Sequence, residues 1–89
     1  MYRIHDMDYQ TVCLKVGSQV RDLRKNRGLK QAELAMTAGI TRQKVIEIEK
    51  GSPSVALQAY ARVFAALGCE LRLVPATRPT LDEVEELFK

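Results

Sequence analysis

Few side chains of this sequence could catalyse a reaction. His5 is the single histidine among the 89 residues, so neither a histidine-based triad nor a two-histidine zinc site can be assembled within the chain. Cys13 and Cys69 each lie among apolar neighbours, which is typical of buried, inert thiols. Two cysteines are also too few for a disulfide framework. We therefore expect a protein that is not an enzyme and that needs no metal or cofactor.

Charge is distributed unevenly along the chain. Residues 1–50 hold ten Lys and Arg against six Asp and Glu, whereas residues 51–89 hold four against five. This asymmetry favours a first half that binds a polyanion such as nucleic acid, and a second half with another task. A solvated helix face is the alternative explanation. The basic residues are densest at Arg21, Arg24, Lys25, Arg27 and Lys30.

Four helices are expected to position these side chains. Apolar periodicity and terminal glycines predict them over residues 12–27, 31–37, 42–50 and 55–67. Thr41 is a suitable N-cap for the third of them. On the fourth, the stripe expected to face the core is Leu57, Tyr60, Ala61, Phe64 and Leu67.

The segment from Gln31 to Gly51 has the most specific pattern. Two helices joined by a short glycine-containing turn are the layout of the DNA-binding helix-turn-helix. The pattern consists of Gln31-Ala32-Glu33-Leu34-Ala35, then Gly39-Ile40-Thr41, then Val45, Ile48, Glu49 and Gly51. It resembles the Xre family of Cro- and CI-like repressors over about residues 14–67. The resemblance implies a mainly α fold with a four-helix lambda-repressor-like domain at 12–68, and residues 1–11, which show no clear apolar period, are expected to form an N-terminal arm.

The resemblance also implies roles for individual residues. The third helix would enter the major groove of DNA, where Arg can pair with guanine, Gln with adenine and Glu with cytosine. The expected base-reading residues are Arg42, Gln43, Lys44 and Glu47. The residues expected to contact phosphates are Gln31, Lys30, Thr41, Lys50 and Ser52. Arg24 and Glu49 match a family ion pair between the first and third helices. For the DNA-facing residues, a solvated polar surface is the alternative.

After the fourth helix the pattern changes to strict alternation. Residues 69–74 alternate apolar and charged side chains, which predicts a half-buried strand. A single strand is not stable alone, and the stretch 2–5 is only a weak candidate to pair with it. We therefore expect residues 69–75 to pair with a second copy in a two-fold homodimer that binds a palindromic operator. The expected dimerisation residues are Glu70, Leu71, Arg72, Leu73 and Val74.

Residues 76–89 are expected to form a C-terminal tail with a short helix. Thr80 and Glu83 match a capping box. The apolar face of the helix would consist of Leu81, Val84, Leu87 and Phe88. This face could cover the protein's own core or dock on a partner, and the sequence leaves both open.

A helix-turn-helix domain followed at once by a strand and a tail is similar to the HipB antitoxins of HipBA-type toxin–antitoxin modules. That similarity implies a dimer that represses its own operon and binds a HipA-like kinase toxin. Two alternatives stay open: a stand-alone or phage-type Xre regulator, and a toxin-inhibiting, protein-binding module with little DNA affinity.

The sequence has no apolar run near the ~20 residues of a membrane span and no apolar signal core at its N-terminus. We therefore expect a cytoplasmic protein.

Overall fold

The structure, a computed structural model, describes residues 8–75. This part of the chain contains four helices: α1 (Tyr9–Asn26), α2 (Gln31–Ala38), α3 (Arg42–Glu49) and α4 (Leu57–Ala66). The predicted mainly α, four-helix architecture is thus confirmed. Residues 1–7 of the expected arm, and the whole tail at 76–89 with its predicted helix, lie outside the described residues.

Helix α1 begins three residues before its predicted start. The side chain of Asp8 caps it, accepting a hydrogen bond from the backbone N–H of Thr11 at 2.7 Å. Such a cap satisfies one of the N–H groups that a helix start leaves unpaired. Residues 9–11 therefore belong to the helix rather than to the arm. Apolar periodicity misses this first turn because Tyr9, Gln10 and Thr11 carry no core-facing stripe.

The core lies between the four helices. α3 packs against α1, α2 and α4, and α2 also packs against α4. The largest side chains that are fully buried come from α2, α3 and α4, and they are Leu34, Val45, Ile48 and Val63. Small Ala35 and Ala38 are buried beside them, which lets the α2 backbone approach its neighbours closely. The short α3 is therefore held on several sides, and its outer side is left for other contacts.

The predicted core stripe of α4 is wrong in part. The buried residues of this region are Ala59, Tyr60, Val63 and Leu67, whereas Leu57 is 68% exposed and Ala61 is also exposed. α4 carries two apolar sides, and periodicity alone could not tell which one meets the core. The helix also begins at Leu57 rather than at residue 55, because residues 51–56 form turns.

Residues 69–75 form neither a helix nor a strand in this single chain. A strand that pairs only with a second copy has no ladder partner within one chain, so the dimer strand stays a prediction. Leu71, Leu73 and Val74 of this segment are all exposed. Among residues 8–75, no helix combines the length and the apolar character needed to cross a membrane.

Candidate nucleic-acid interface

A tight turn joins α2 to α3. Gly39 ends α2 in the left-handed region with a φ of 74°, which a residue with a side chain adopts only at a cost. The next residue, Ile40, donates its backbone N–H to the carbonyl of Ala35 at 3.1 Å. Thr41 then caps α3, its Oγ1 accepting from the N–H of Lys44 at 3.1 Å. The turn thus fixes the angle between the two helices through backbone geometry and one side-chain cap.

The four predicted base-reading residues lie on the side of α3 that points away from the core. Arg42 and Gln43 are exposed, and Lys44 and Glu47 are partly exposed. Lys44 Nζ lies 3.6 Å from Glu47 Oε1, one turn along the helix. A surface pair of this kind contributes only about 0.3–0.5 kcal/mol. It would therefore open readily if either side chain met a better partner.

Arg24 and Glu49 form a buried ion pair. Arg24 Nε donates to Glu49 Oε2 at 2.6 Å and Nη2 donates to Oε1 at 3.1 Å, with side chains only 10% and 5% exposed. The third guanidinium nitrogen, Nη1, donates to the backbone carbonyl of Leu29 at 2.8 Å. One arginine of α1 thereby contacts both the end of α3 and the loop before α2. Its role is structural, and it is not one of the cations free to meet a polyanion.

Gln31, the first residue of α2, extends this network to the start of α3. Its Nε2 donates to Glu49 Oε1 at 3.1 Å. Its Oε1 accepts from Arg42 Nη2 at 3.3 Å. A continuous path of hydrogen bonds therefore runs from Arg24 through Glu49 and Gln31 to Arg42, and it touches both ends of α3.

The remaining predicted phosphate contacts are less closely grouped. Lys30, Thr41 and Lys50 are exposed, and Ser52 is half-buried with its Oγ 3.0 Å from that of Ser54. Two of the predicted phosphate contacts, Gln31 and Lys50, line one shallow depression, together with the cations Arg21 and Lys25 of α1. Lys30, Thr41 and Ser52 do not line this depression. One surface is therefore shared by two cations of α1, by the first residue of α2 (Gln31) and by the residue after α3 (Lys50).

Two further cations of the basic segment have other positions. Arg27 donates through Nη1 to the backbone carbonyl of Leu67, next to the end of α4. This hydrogen bond joins the C-terminal end of α1 to the C-terminal end of α4. Lys30 donates its backbone N–H to Glu33 Oε1 at 2.7 Å. The residue itself is exposed at the start of α2.

Gly17 is a residue that positions the interface and that the sequence reasoning missed. A Cβ built on it would lie 2.3 Å from the carbonyl oxygen of Ile48 and 2.9 Å from that of Glu49. The backbone of α1 therefore touches the last turn of α3, and only glycine fits. The available signal was a glycine inside a helical pattern, which costs about 1 kcal/mol against alanine and points to close packing when it is retained.

Metal coordination needs several ligating side chains close together. Within residues 8–75, no group of three or more His, Cys, Asp and Glu side chains converges. Cys13 and Cys69 are half-buried free thiols. The candidate interface exposes cationic and amide side chains. Groups of this kind form hydrogen bonds with base edges and phosphates.

Comparison with known proteins identifies the family of the chain. A family model described as a helix-turn-helix domain matches residues 15–77. The chain is 32% identical over 59 residues to a protein of Sinorhizobium fredii named uncharacterized HTH-type transcriptional regulator y4mF, covering 66% of this chain and 78% of that protein. It is 47% identical over 51 residues to an uncharacterized HTH-type transcriptional regulator of Methanothermobacter thermautotrophicus, covering 57% and 74%. The chain belongs to the helix-turn-helix domain family.

Proposed function

We propose that this chain is a sequence-specific DNA-binding transcriptional repressor that reads base edges with α3. The observation that carries the proposal is the hydrogen-bonded path from Arg24 to Arg42, because it fixes α3 while its outer side chains stay exposed. The two relatives named as transcriptional regulators support the regulatory class.

In this proposal the exposed side of α3 enters the major groove. Arg42 is already oriented by Gln31 at 3.3 Å and would donate to guanine, while Gln43 would pair with adenine. The start of α2 would meet a phosphate, because helix N-termini favour anions through unpaired N–H groups and the helix dipole. Lys30 at that start, and Lys50 after α3, would add positive charge on either side.

Gln43→Ala tests base reading. An operator is first selected from a random pool with the unaltered protein, and affinity is then measured on it and on random DNA at several salt concentrations. The variant should lose about 1–3 kcal/mol on the operator, with random-DNA binding nearly unchanged. Gln58→Ala, an exposed glutamine on α4, is the matched control and should bind like the original. An equal loss on both DNAs contradicts base reading.

The same titrations separate DNA binding from the alternative of a toxin inhibitor with little DNA affinity. Each phosphate contact releases counterions, so the affinity of a DNA reader falls steeply with salt. Affinity that is absent, or that ignores salt, supports the inhibitor alternative.

We also propose that the protein acts as a homodimer in which residues 69–75 pair with a second copy. The alternation of apolar and charged side chains over residues 69–74, with no partner strand among residues 8–75, supports this. Leu73→Pro removes a ladder donor and should give a monomer by light scattering. Leu73→Ala keeps the N–H and should stay dimeric. A dimer with proline at this position rules out the strand interface.

The narrower proposal is an antitoxin that represses its own operon and binds a HipA-like kinase toxin. It is supported by the apolar extension that follows α4, a surface beyond the DNA-reading helices. Coexpression with the neighbouring gene product and copurification test it. A stable complex with a kinase-like protein supports the antitoxin, whereas a chain that binds its operator and purifies alone supports the stand-alone regulator.

A further inference from the structure

A long apolar groove lies on the side of the molecule formed by α1, α4 and residues 71–75. Its volume is about 820 Å³. The apolar residues that line it include Val12, Val16, Leu57, Tyr60, Phe64 and Leu73. None of the four predicted base-reading residues is among those lining it, so it is separate from the candidate nucleic-acid interface. We call this feature the apolar groove.

Much of the wall of the apolar groove lies outside the core, although Tyr60, which also lines it, is a core residue. Leu57 is 68% exposed, Leu73 90% and Val74 76%, although the core between the helices is already filled by fully buried side chains. The stripe that periodicity predicts for α4 includes Leu57, Tyr60 and Phe64, and these three line the groove. This apolar face is therefore covered only in part, since Tyr60 is buried and Phe64 half-buried while Leu57 is exposed. Monomeric proteins rarely leave such a contiguous patch uncovered.

We propose that residues 80–89 of the same chain bind in the apolar groove as an amphipathic helix. Pro75 is the last described residue and lines the groove. The rest of the chain therefore starts at the groove. Fourteen residues follow. Four of them, 76–79, can span about 13 Å, and eight helical residues cover about 12 Å. The tail is thus long enough to turn back and lie along the groove.

Side-chain chemistry matches on the two sides. As a helix, the tail would have an apolar face of Leu81, Val84, Leu87 and Phe88, and its polar residues include Asp82, Glu83, Glu85 and Glu86. The groove is apolar, and the charged residues among its lining are Lys15 and Arg72, both cations. Acidic residues of the tail would therefore lie beside basic residues of the groove. Because the tail is tethered, its local concentration is about millimolar, and modest affinity suffices.

The thiol of Cys13 provides the test, because this half-buried residue lines the apolar groove. In a Cys69→Ser background it is the single cysteine of the chain. Its labelling rate with a disulfide reagent is compared between the full chain and a chain ending at Thr77. We expect labelling about tenfold faster in the shortened chain, the value for an intrinsic affinity of ~0.1 mM at an effective concentration of ~1 mM.

A full-length variant controls for the possibility that the shortened chain labels faster only because it is misfolded. Val84→Asp with Leu87→Asp should label as fast as the truncation, while Lys89→Ala should stay protected, and circular dichroism checks that all retain the helices. Protection should not change on dilution, because the tail belongs to the same chain. Equal rates in all variants overturn the proposal. Protection that disappears on dilution also overturns it, and identifies a second copy as the occupant.

Discussion

The guanidinium Nε of Arg24 lies 2.6 Å from Oε2 of Glu49, and this contact joins the last turn of α1 to the last residue of α3. Both side chains are almost completely removed from solvent. In such a pair the desolvation cost offsets much of the attraction, but removal of one partner leaves an uncompensated buried charge. The pair therefore determines where the end of α3 lies more than it determines total stability.

Glu49→Gln should destabilise the protein strongly. The amide cannot neutralise Arg24, so we expect the free energy of unfolding to fall by about 3 kcal/mol, measured by urea denaturation. Glu47→Gln breaks only the exposed pair with Lys44 and should cost less than about 0.5 kcal/mol. Similar losses in the two variants would show that the Arg24 pair carries no special weight.

Gln31 and Arg42 should act together in operator binding. Because Gln31 Oε1 accepts from Arg42 Nη2, the alanine variants of the two residues should not be additive, and we expect an interaction energy of about 0.5–1.5 kcal/mol in a double-mutant cycle. A cycle between Gln31 and Gln43, which share no hydrogen bond in the structure, should be additive. Additivity in both cycles would mean that Gln31 does not orient Arg42.

Gly17→Ala should destabilise the protein despite the better helix propensity of alanine. The propensity gain is about 1 kcal/mol, but the new Cβ would overlap the carbonyl oxygen of Ile48 at 2.3 Å. Overpacking of this kind costs about 1–3 kcal/mol, and here the obstacle is backbone. Thermal unfolding should show a lower Tm, whereas Ser18→Ala, at an exposed neighbouring position, should leave it unchanged or raise it. A stabilised Gly17→Ala variant would contradict the close contact of α1 with α3.

Tyr60 should make stability fall at alkaline pH. Burial, and to a smaller extent the electrostatic effect of nearby Cys13, raises the pKa of Tyr60 above its ordinary value of 10.0. The folded state therefore favours the neutral phenol, and its contribution is complete below pH 10.0 and declines as the pH rises through the folded pKa. Denaturation at a series of pH values should show this decline. Tyr60→Phe should abolish it, and Cys13→Ser should reduce it only slightly.

Sequence reasoning works best where one physical rule decides. Gly39 and Thr41 predict the turn and the start of α3 because left-handed backbone and N-capping each favour few residue types. It fails where two rules compete. α4 has two apolar sides, and only packing against α2 and α3 chooses Val63 over Leu57 for the core.

The candidate site is predictable in its residue types but not in its contacts. The sequence alone identifies the polar residues at 42–44. The hydrogen bond from Arg42 to Gln31 depends on the relative positions of α2 and α3. The close approach at Gly17 depends likewise on the crossing of α1 and α3, which no local pattern encodes.

The phenol of Tyr60 has a further consequence. Its ring borders the apolar groove, while its hydroxyl donates to the backbone carbonyl of Ser52 at 3.0 Å, just beyond α3. An occupant that displaces the ring must also disturb the loop that follows α3. If DNA binds at α3 as proposed, thermodynamic linkage makes the effect reciprocal: the occupant changes DNA affinity by the same factor by which DNA changes the affinity of the occupant. The side chain of Tyr60 thus connects the apolar groove physically to the loop after α3, on the side of the candidate nucleic-acid interface.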